Sequence, residues 1–288
     1  MENRKHKKRK LSDIQVIIII WSCILCLLGY LIFPVVYTVS LNFAIHENDV
    51  RMVKWILKIK GDINRDNSIP VLDTWSDTPI ESACVKGNIE IIRMLLDKGA
   101  NVNEEGWSPL ILALANEYPD KYQVIKLLLD RGADVGSEGQ KSEILTLISG
   151  GYDRRSVYNV QAKKEANEEE VYKIFILLIN NGASVEYWEG AKSFQQSYSA
   201  MILESTAIQG NLQIMKYLVE EAEYDVNEKL YADDTALIAA TQNDNGKVVE
   251  YLLLNGVDKT VKNDDGKTAL DIAEEKQYED IIKLLKEE

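Results

Sequence analysis

The stretch IESACVKGNIEIIRMLLDKGANVN at 80–103 returns, with most letters changed, as LESTAIQGNLQIMKYLVEEAEYDVN at 203–227. What survives is a pattern of residue classes. With DKGANVN (97–103) as the marker, DRGADVG follows 33 residues later at 130–136, and NNGASV (180–185) and LNGVDKT (254–260) continue the series. Ahead of these lie apolar clusters at helical spacing: Ile91, Ile92, Leu95 and Leu96; Val124, Ile125, Leu128 and Leu129; Ile174, Phe175, Leu178 and Ile179; Val248, Val249, Leu252 and Leu253. The altered copy carries Ile214, Met215, Leu218 and Val219 in the same register. A stripe of this kind buries one face of a helix. A chain that repeats it must stack one copy on the next.

A shorter helix is expected before each cluster, opening with TPIESA (78–83), SPLILA (108–113), TALIAA (235–240) or TALDIA (268–273). Thr or Ser there suits an N-cap, and Pro79 and Pro109 suit the first helical position, where a missing N–H costs nothing. Gly99, Gly132, Gly182 and Gly256 are expected to end the second helix in a left-handed conformation.

A turn, two antiparallel helices and a 33-residue period together resemble the ankyrin repeat. On that resemblance the chain is an all-α solenoid of about seven helix–turn–helix units. They start near residues 39, 78, 108, 142, 201, 235 and 268, fill residues 39–288, and end in a charged copy, KTALDIAEEKQYEDIIKLLKEE, as a terminal repeat should. The sequence departs from the family's Thr-Pro-Leu-His pattern: the His position holds Asn42, Glu81, Ile111, Leu145, Glu204, Ile238 or Asp271. The hydrogen bonds that His makes are therefore absent or replaced. The fourth unit also carries about 19 extra residues between its helices, an insertion at about 150–169, expected as a surface loop.

The N-terminus is of another kind. No Asp, Glu, Lys or Arg occurs from Ile14 to His46, and residues 14–38 are apolar enough to cross a hydrocarbon core about 30 Å thick, which needs roughly 20 helical residues. The expectation is a single transmembrane helix at 14–38 behind a basic cytoplasmic tail at 1–13. The tail's RKHKKRK is a positive-inside signal that puts the N-terminus in the cytoplasm and the repeats across the membrane. A cleaved signal peptide, giving a secreted repeat protein, is the competing reading, but the apolar run exceeds the usual core of about 7–15 residues. The absence of any Asn-x-Ser/Thr sequon favours a bacterial envelope over a eukaryotic secretory lumen.

Charge and side-chain inventory exclude several activities. Residues 1–38 hold six Lys/Arg against Glu2 and Asp13, so the chain's net charge of −13 leaves −17 on the repeats. Such a body repels phosphate backbones, and no nucleic-acid partner is expected. With only His6 and His46 in the chain, neither a His-based metal cluster nor a Ser-His-Asp arrangement can form. Gly150–Gly151 and GVDKT (256–260) lack the spacing of a phosphate loop. No catalytic residue, metal or cofactor is assigned, and Glu81 and Glu204 read as solvated helix residues. Cys23 and Cys26 fall in the apolar run, leaving Cys84 alone among the repeats as a small buried hydrophobe.

Surface recognition remains, and it is what the family resemblance implies: binding of a protein partner through the finger-like turns and the adjoining short helices. Four turns carry aromatics among acids: DTWSD (73–77), NEEGWSP (103–109), VEYWEG (185–190) and EKLYADD (228–234). The candidate binding residues are Trp75, Trp107, Tyr187, Trp188 and Tyr231, with Glu104, Glu105, Glu186 and Glu189 favouring a partner with a basic surface. Packing between fingers is the alternative role for the tryptophans. The alternative function is an envelope enzyme using carboxylates near the inserted loop.

Overall fold

The computed structural model describes residues 33–65, 78–103, 108–116, 118–136, 143–148, 167–185, 198–229 and 234–287. Among them the secondary structure is helical throughout, in seven antiparallel pairs. The first pair is α1 (33–46) with α2 (Val50–Ile56), followed by α3 (Pro79–Lys86) with α4 (Ile89–Asp97). Then come α5 (Pro109–Ala115) with α6 (Lys121–Asp130), and α7 (Glu143–Ile148) with α8 (Glu168–Asn180). The last three are α9 (Tyr198–Gln209) with α10 (Leu212–Lys216), α11 (Ala236–Gln242) with α12 (Gly246–Leu254), and α13 (Ala269–Lys276) with α14 (Glu279–Lys286). Two compact units divide the chain, the first ending at Asn101 and the second beginning at Val102.

Within the second unit the packing is that of a solenoid. The first helices of successive pairs stack as α5, α7, α9, α11 and α13, and the second helices stack as α6, α8, α10, α12 and α14. The core lies between these layers and is made of the predicted stripes: Ile91, Ile92 and Leu95 in the first unit, and Val124, Ile125, Leu128, Ile174, Phe175, Leu178, Val248, Val249 and Leu252 in the second, are all buried. Each helix shows one apolar face because the facing helix and the neighbouring pairs cover only that face.

Local chemistry sets the helix ends as expected. Thr78, Thr235 and Thr268 cap α3, α11 and α13 by accepting from the N–H three residues on, and Pro79 and Pro109 occupy first positions. The marker glycines take φ between 78° and 97°. The first pair differs, because Lys60 stands at the marker position and Gly61 follows it. A Cβ on Gly61 would lie 2.5 Å from the Tyr37 ring, so the missing side chain is what lets α1 close over this turn. The copy at 203–227 has one residue more between its helix cap and its final Val-Asn than the copy at 80–103. The extra residue is absorbed by a π-helical turn, Tyr217–Glu221, with Glu223 taking positive φ where other copies use glycine.

Asparagines tie each turn to the next. The Asn64 amide donates to the Gly99 carbonyl (3.3 Å) while its oxygen accepts from the Asn101 N–H (2.8 Å). Asn103 does the same one copy on, donating to Gly132 (2.9 Å) and accepting from Asp134 (2.9 Å), and Asn227 accepts from the Asp258 N–H (2.7 Å). A second set stands at the starts of α10 and α12 and reaches back to the preceding pair. Asn211 accepts from Ile214 (3.0 Å) and donates to the Glu168 carbonyl (3.1 Å) of the preceding pair, and Asn245 donates to the Ala207 and Ile208 carbonyls (2.7 and 2.8 Å). The Asn211 amide thereby satisfies both a local backbone group and a neighbour's.

Two expectations change. Glu81 is buried, not solvated, because its carboxylate turns back to accept from the Thr78 N–H (2.6 Å) and hydroxyl (2.8 Å) in a reciprocal capping box. Asp271 makes the same box with Thr268, so at these two copies an acid replaces the family's His by capping its own helix. The boundary drawn at 38–39 also moves: it falls inside α1, where Tyr37 and Thr38 are already buried and Tyr37 packs on Gly61. Among the described residues no helix is long and apolar enough to cross a membrane; residues 14–32 of the expected span, the basic tail and most of the insertion lie outside them.

The asparagine ties give a direct test. Asn103→Ala removes two hydrogen bonds at a solvent-exposed turn, each with a net worth of roughly 0.5–1.5 kcal/mol before exposure is discounted, so a loss of about 1 kcal/mol is expected in urea unfolding. Asn103→Asp keeps the acceptor for the Asp134 N–H and loses the donor to Gly132, and should fall between wild type and Ala.

Candidate protein-binding surface

The surface can be built upward from the last turn of the array, which is described in full. Asn263 shapes it: its N–H donates to the Lys267 carbonyl (3.0 Å), its carbonyl accepts from Gly266 (2.8 Å), and its side-chain oxygen accepts from the Lys267 N–H (3.0 Å). Gly266 has φ of 73°, which closes the turn and leaves Asp264 and Asp265 exposed at the tip. Directly behind, Thr268 starts α13. The preceding copy has the same order, an Asp pair ahead of a capping Thr, with Asp234 beside Thr235.

These acids form one electrostatic group reaching across three copies. Burial pushes the Glu204 carboxyl on α9 above the usual carboxylate range, and the charge of Asp234 pushes it further. Asp234 is raised in turn, mainly by burial and also by Asp264 and Asp265, against the opposing pull of Asn263 and Gln242. The Gln242 amide donates to one oxygen of Asp234 (3.2 Å), and the Asn263 side chain also hydrogen-bonds the carboxylate. A half-buried carboxylate held among like charges favours a proton or an arriving cation. Lys267 nearby is engaged by Glu275 across the start of α13 and does not neutralise the group. No cluster of His, Cys, Asp and Glu that could hold a metal ion occurs among the described residues. Cys84 is buried and unpaired, with burial and then Glu81 pushing its thiol well above the ordinary range, so it serves as packing.

The residues proposed from sequence as contacts, Trp75, Trp107, Tyr187, Trp188, Tyr231, Glu104, Glu105, Glu186 and Glu189, all lie outside the described residues. The acidic group at Glu204, Asp234, Asp264 and Asp265 was missed by that reading. Its signal was the repeated Asp-Asp ahead of Thr, in ADDTA and NDDGKT. One copy of that signal adjoins the aromatic turn at 228–234.

Helix pairs stacked in two layers and tied turn to turn agree with the comparison to known proteins. A family model described as Ankyrin repeats (3 copies) matches residues 41–138 and 200–288, well over half of the chain. The chain belongs to the ankyrin repeat family. The human ASB11 ankyrin repeat domain superposes with a TM-score of 0.58 at 19% identity, over 86% of this chain and 98% of that domain, which shows the shared fold. Alpha-latrocrustotoxin-Lt1a of Latrodectus tredecimguttatus is 40% identical over 70 residues, a match that spans 24% of this chain and 5% of the toxin. Ankyrin repeats imply protein–protein interaction, and members of the family are generally non-catalytic adaptors.

The acidic group has a pH signature. For Glu204 and Asp234 the folded carboxyl binds its proton more tightly than the unfolded one, so folding is opposed once both are ionised, and that penalty grows as pH rises from the ordinary carboxylate range through the raised values. Glu204→Gln should therefore raise the unfolding midpoint at neutral pH. Midpoints measured across pH should show the gain shrinking to nothing as the carboxylates protonate; a gain that is constant in pH contradicts the assignment.

Proposed function

We propose that this protein is a membrane-anchored, non-catalytic ankyrin module that captures a protein partner through its turns and short helices, and that the partner presents a basic segment. The observation that carries the reading is the group of Glu204, Asp234, Asp264 and Asp265, in which burial and like charges oppose ionisation of Glu204 and Asp234. A Lys or Arg side chain beside this group relieves the repulsion. The aromatic fingers at Trp75, Trp107, Tyr187, Trp188 and Tyr231 supply apolar anchors in the same reading, with Glu104, Glu105, Glu186 and Glu189 steering the approach. The uncharged run beginning at Ile14 supports the anchor, and the basic tail supports a cytoplasmic N-terminus with the repeats outside, in a bacterial envelope.

Two measurements test this. In spheroplasts expressing the full chain, added protease should digest residues 41–288; complete protection overturns the topology. For the surface, crosslinking in native membranes followed by mass spectrometry identifies the partner, and its affinity is then compared among variants. Trp107→Ala or Trp188→Ala at a true hot spot should weaken binding by at least about 2 kcal/mol, and neutralising the acids should flatten the salt dependence of association. If the tryptophan variants lower the unfolding midpoint and leave affinity unchanged, these aromatics pack between fingers and the proposed surface is wrong.

A further inference from the structure

The first repeat exposes apolar side chains at positions that later repeats bury or half-bury. Trp55 lies six residues after the α2 cap Asp49, the position that Tyr217 holds relative to Asn211 and Tyr251 relative to Asn245. Both tyrosines reach back to the preceding repeat: Tyr217 meets Phe175 edge-on at 5.5 Å, and the Tyr251 hydroxyl donates to Glu220 (2.9 Å) with Lys216 over its ring. Phe43 holds the position that Leu112, Ser205, Ala239 and Ile272 occupy in later copies, all four buried. On the first repeat, Trp55 is 63% exposed and Phe43 58% exposed. Phe33, Val36 and Val39 extend the exposed stripe of Phe43 along α1 at helical spacing.

A terminal repeat normally carries a polar outer face, as α14 does with exposed Glu279, Asp280, Lys283 and Lys286. The opposite choice on the first repeat has a second feature beside it. From Val50 to Lys60 the chain has four basic residues, Arg51, Lys54, Lys58 and Lys60, and no acid, although the repeats as a whole carry −17. All four are exposed; Arg51 and Lys54 lie on α2 with exposed Trp55, and Lys58, Ile59 and Lys60 follow in the turn after it, exposed as well.

We infer that this face seats on an anionic lipid bilayer, with the stripe from Phe33 to Phe43 and Trp55 entering the boundary between headgroups and acyl chains and the four basic residues meeting lipid phosphates. Aromatic residues beside Lys and Arg suit that boundary, and a basic strip is attracted to anionic lipid headgroups. The uncharged run from Ile14 continues without a charge into α1, so the face adjoins the expected anchor in the sequence. The inference rests on the reading of that run as a membrane anchor and adds a second, peripheral contact to it.

The test uses the full chain reconstituted into vesicles with brominated acyl chains, made of phosphatidylcholine with or without phosphatidylglycerol. Tryptophan fluorescence is compared for the wild type, Trp55→Phe and Trp21→Phe, so that each difference isolates one indole. The Trp55 component should be quenched by brominated lipid in phosphatidylglycerol vesicles, and that quenching should be lost at high salt and in the Lys54→Gln, Lys58→Gln, Lys60→Gln variant. The Trp21 component should be quenched whatever the lipid charge. A quenched Trp21 with a Trp55 open to aqueous iodide overturns this inference and leaves the anchor standing. A Trp55 shielded from iodide but untouched by lipid also overturns it, since a second copy of the chain then covers the face. An unquenched Trp21 overturns the anchor itself.

Discussion

No repeat in this protein can cover its own apolar stripe. A pair such as α11 and α12 presents Ile238, Ala239, Val248, Val249 and Leu252, all buried, and much of that burial comes from α9 and α10 on one side and α13 and α14 on the other. Burial on the order of 25 cal/mol for each Å² of apolar surface is the main favourable term in folding, and here it is collected between neighbours. The consequence is a structure that tolerates almost any letter at the surface but keeps its apolar positions at every copy. It also makes the ends of the array the places where sequence must say something different, which it does in opposite ways at α14 and α1.

Hydrogen bonding follows the same neighbour rule. The amides of Asn64 and Asn103 use both ends on the following repeat, Asn211 caps its own helix with one end and reaches the preceding repeat with the other, and Asn245 donates twice to the preceding repeat. Asparagine is suited to this because it carries a donor and an acceptor on one short planar group. The acidic group at Glu204, Asp234, Asp264 and Asp265 departs from the pattern, since these neighbours repel.

The helices, their caps and their order were legible in the sequence because periodicity and capping are local. Thr78, Thr235, Thr268, Pro79 and Pro109 all stand where their residue types say they should. What was not legible depended on residues about 30 positions away. Glu81 read as a solvated acid, since its residue type alone does not say that it is buried with Thr78 supplying its hydrogen bonds. The asparagine ties were not anticipated, because each reaches a partner 29 to 43 residues away. The closing of α1 over Gly61 was hidden by the uniform apolarity of residues 14–46, in which a membrane segment and a buried helix have the same composition. The aromatic finger residues, from Trp75 to Tyr231, were legible only as candidates, because interface and finger packing call for the same side chains.

The central claim is that stability is held between adjacent repeats, and hydrogen exchange on a single core variant tests it most directly. Leu252 on α12 is fully buried, and Leu252→Ala opens the core at one point, a change that costs about 2–5 kcal/mol in well-packed proteins. Exchange measured by mass spectrometry on the full chain should show amides of α9 through α14 losing protection together, with α3 and α4 keeping theirs. Equal loss along the whole chain, or loss confined to α12, would contradict the account.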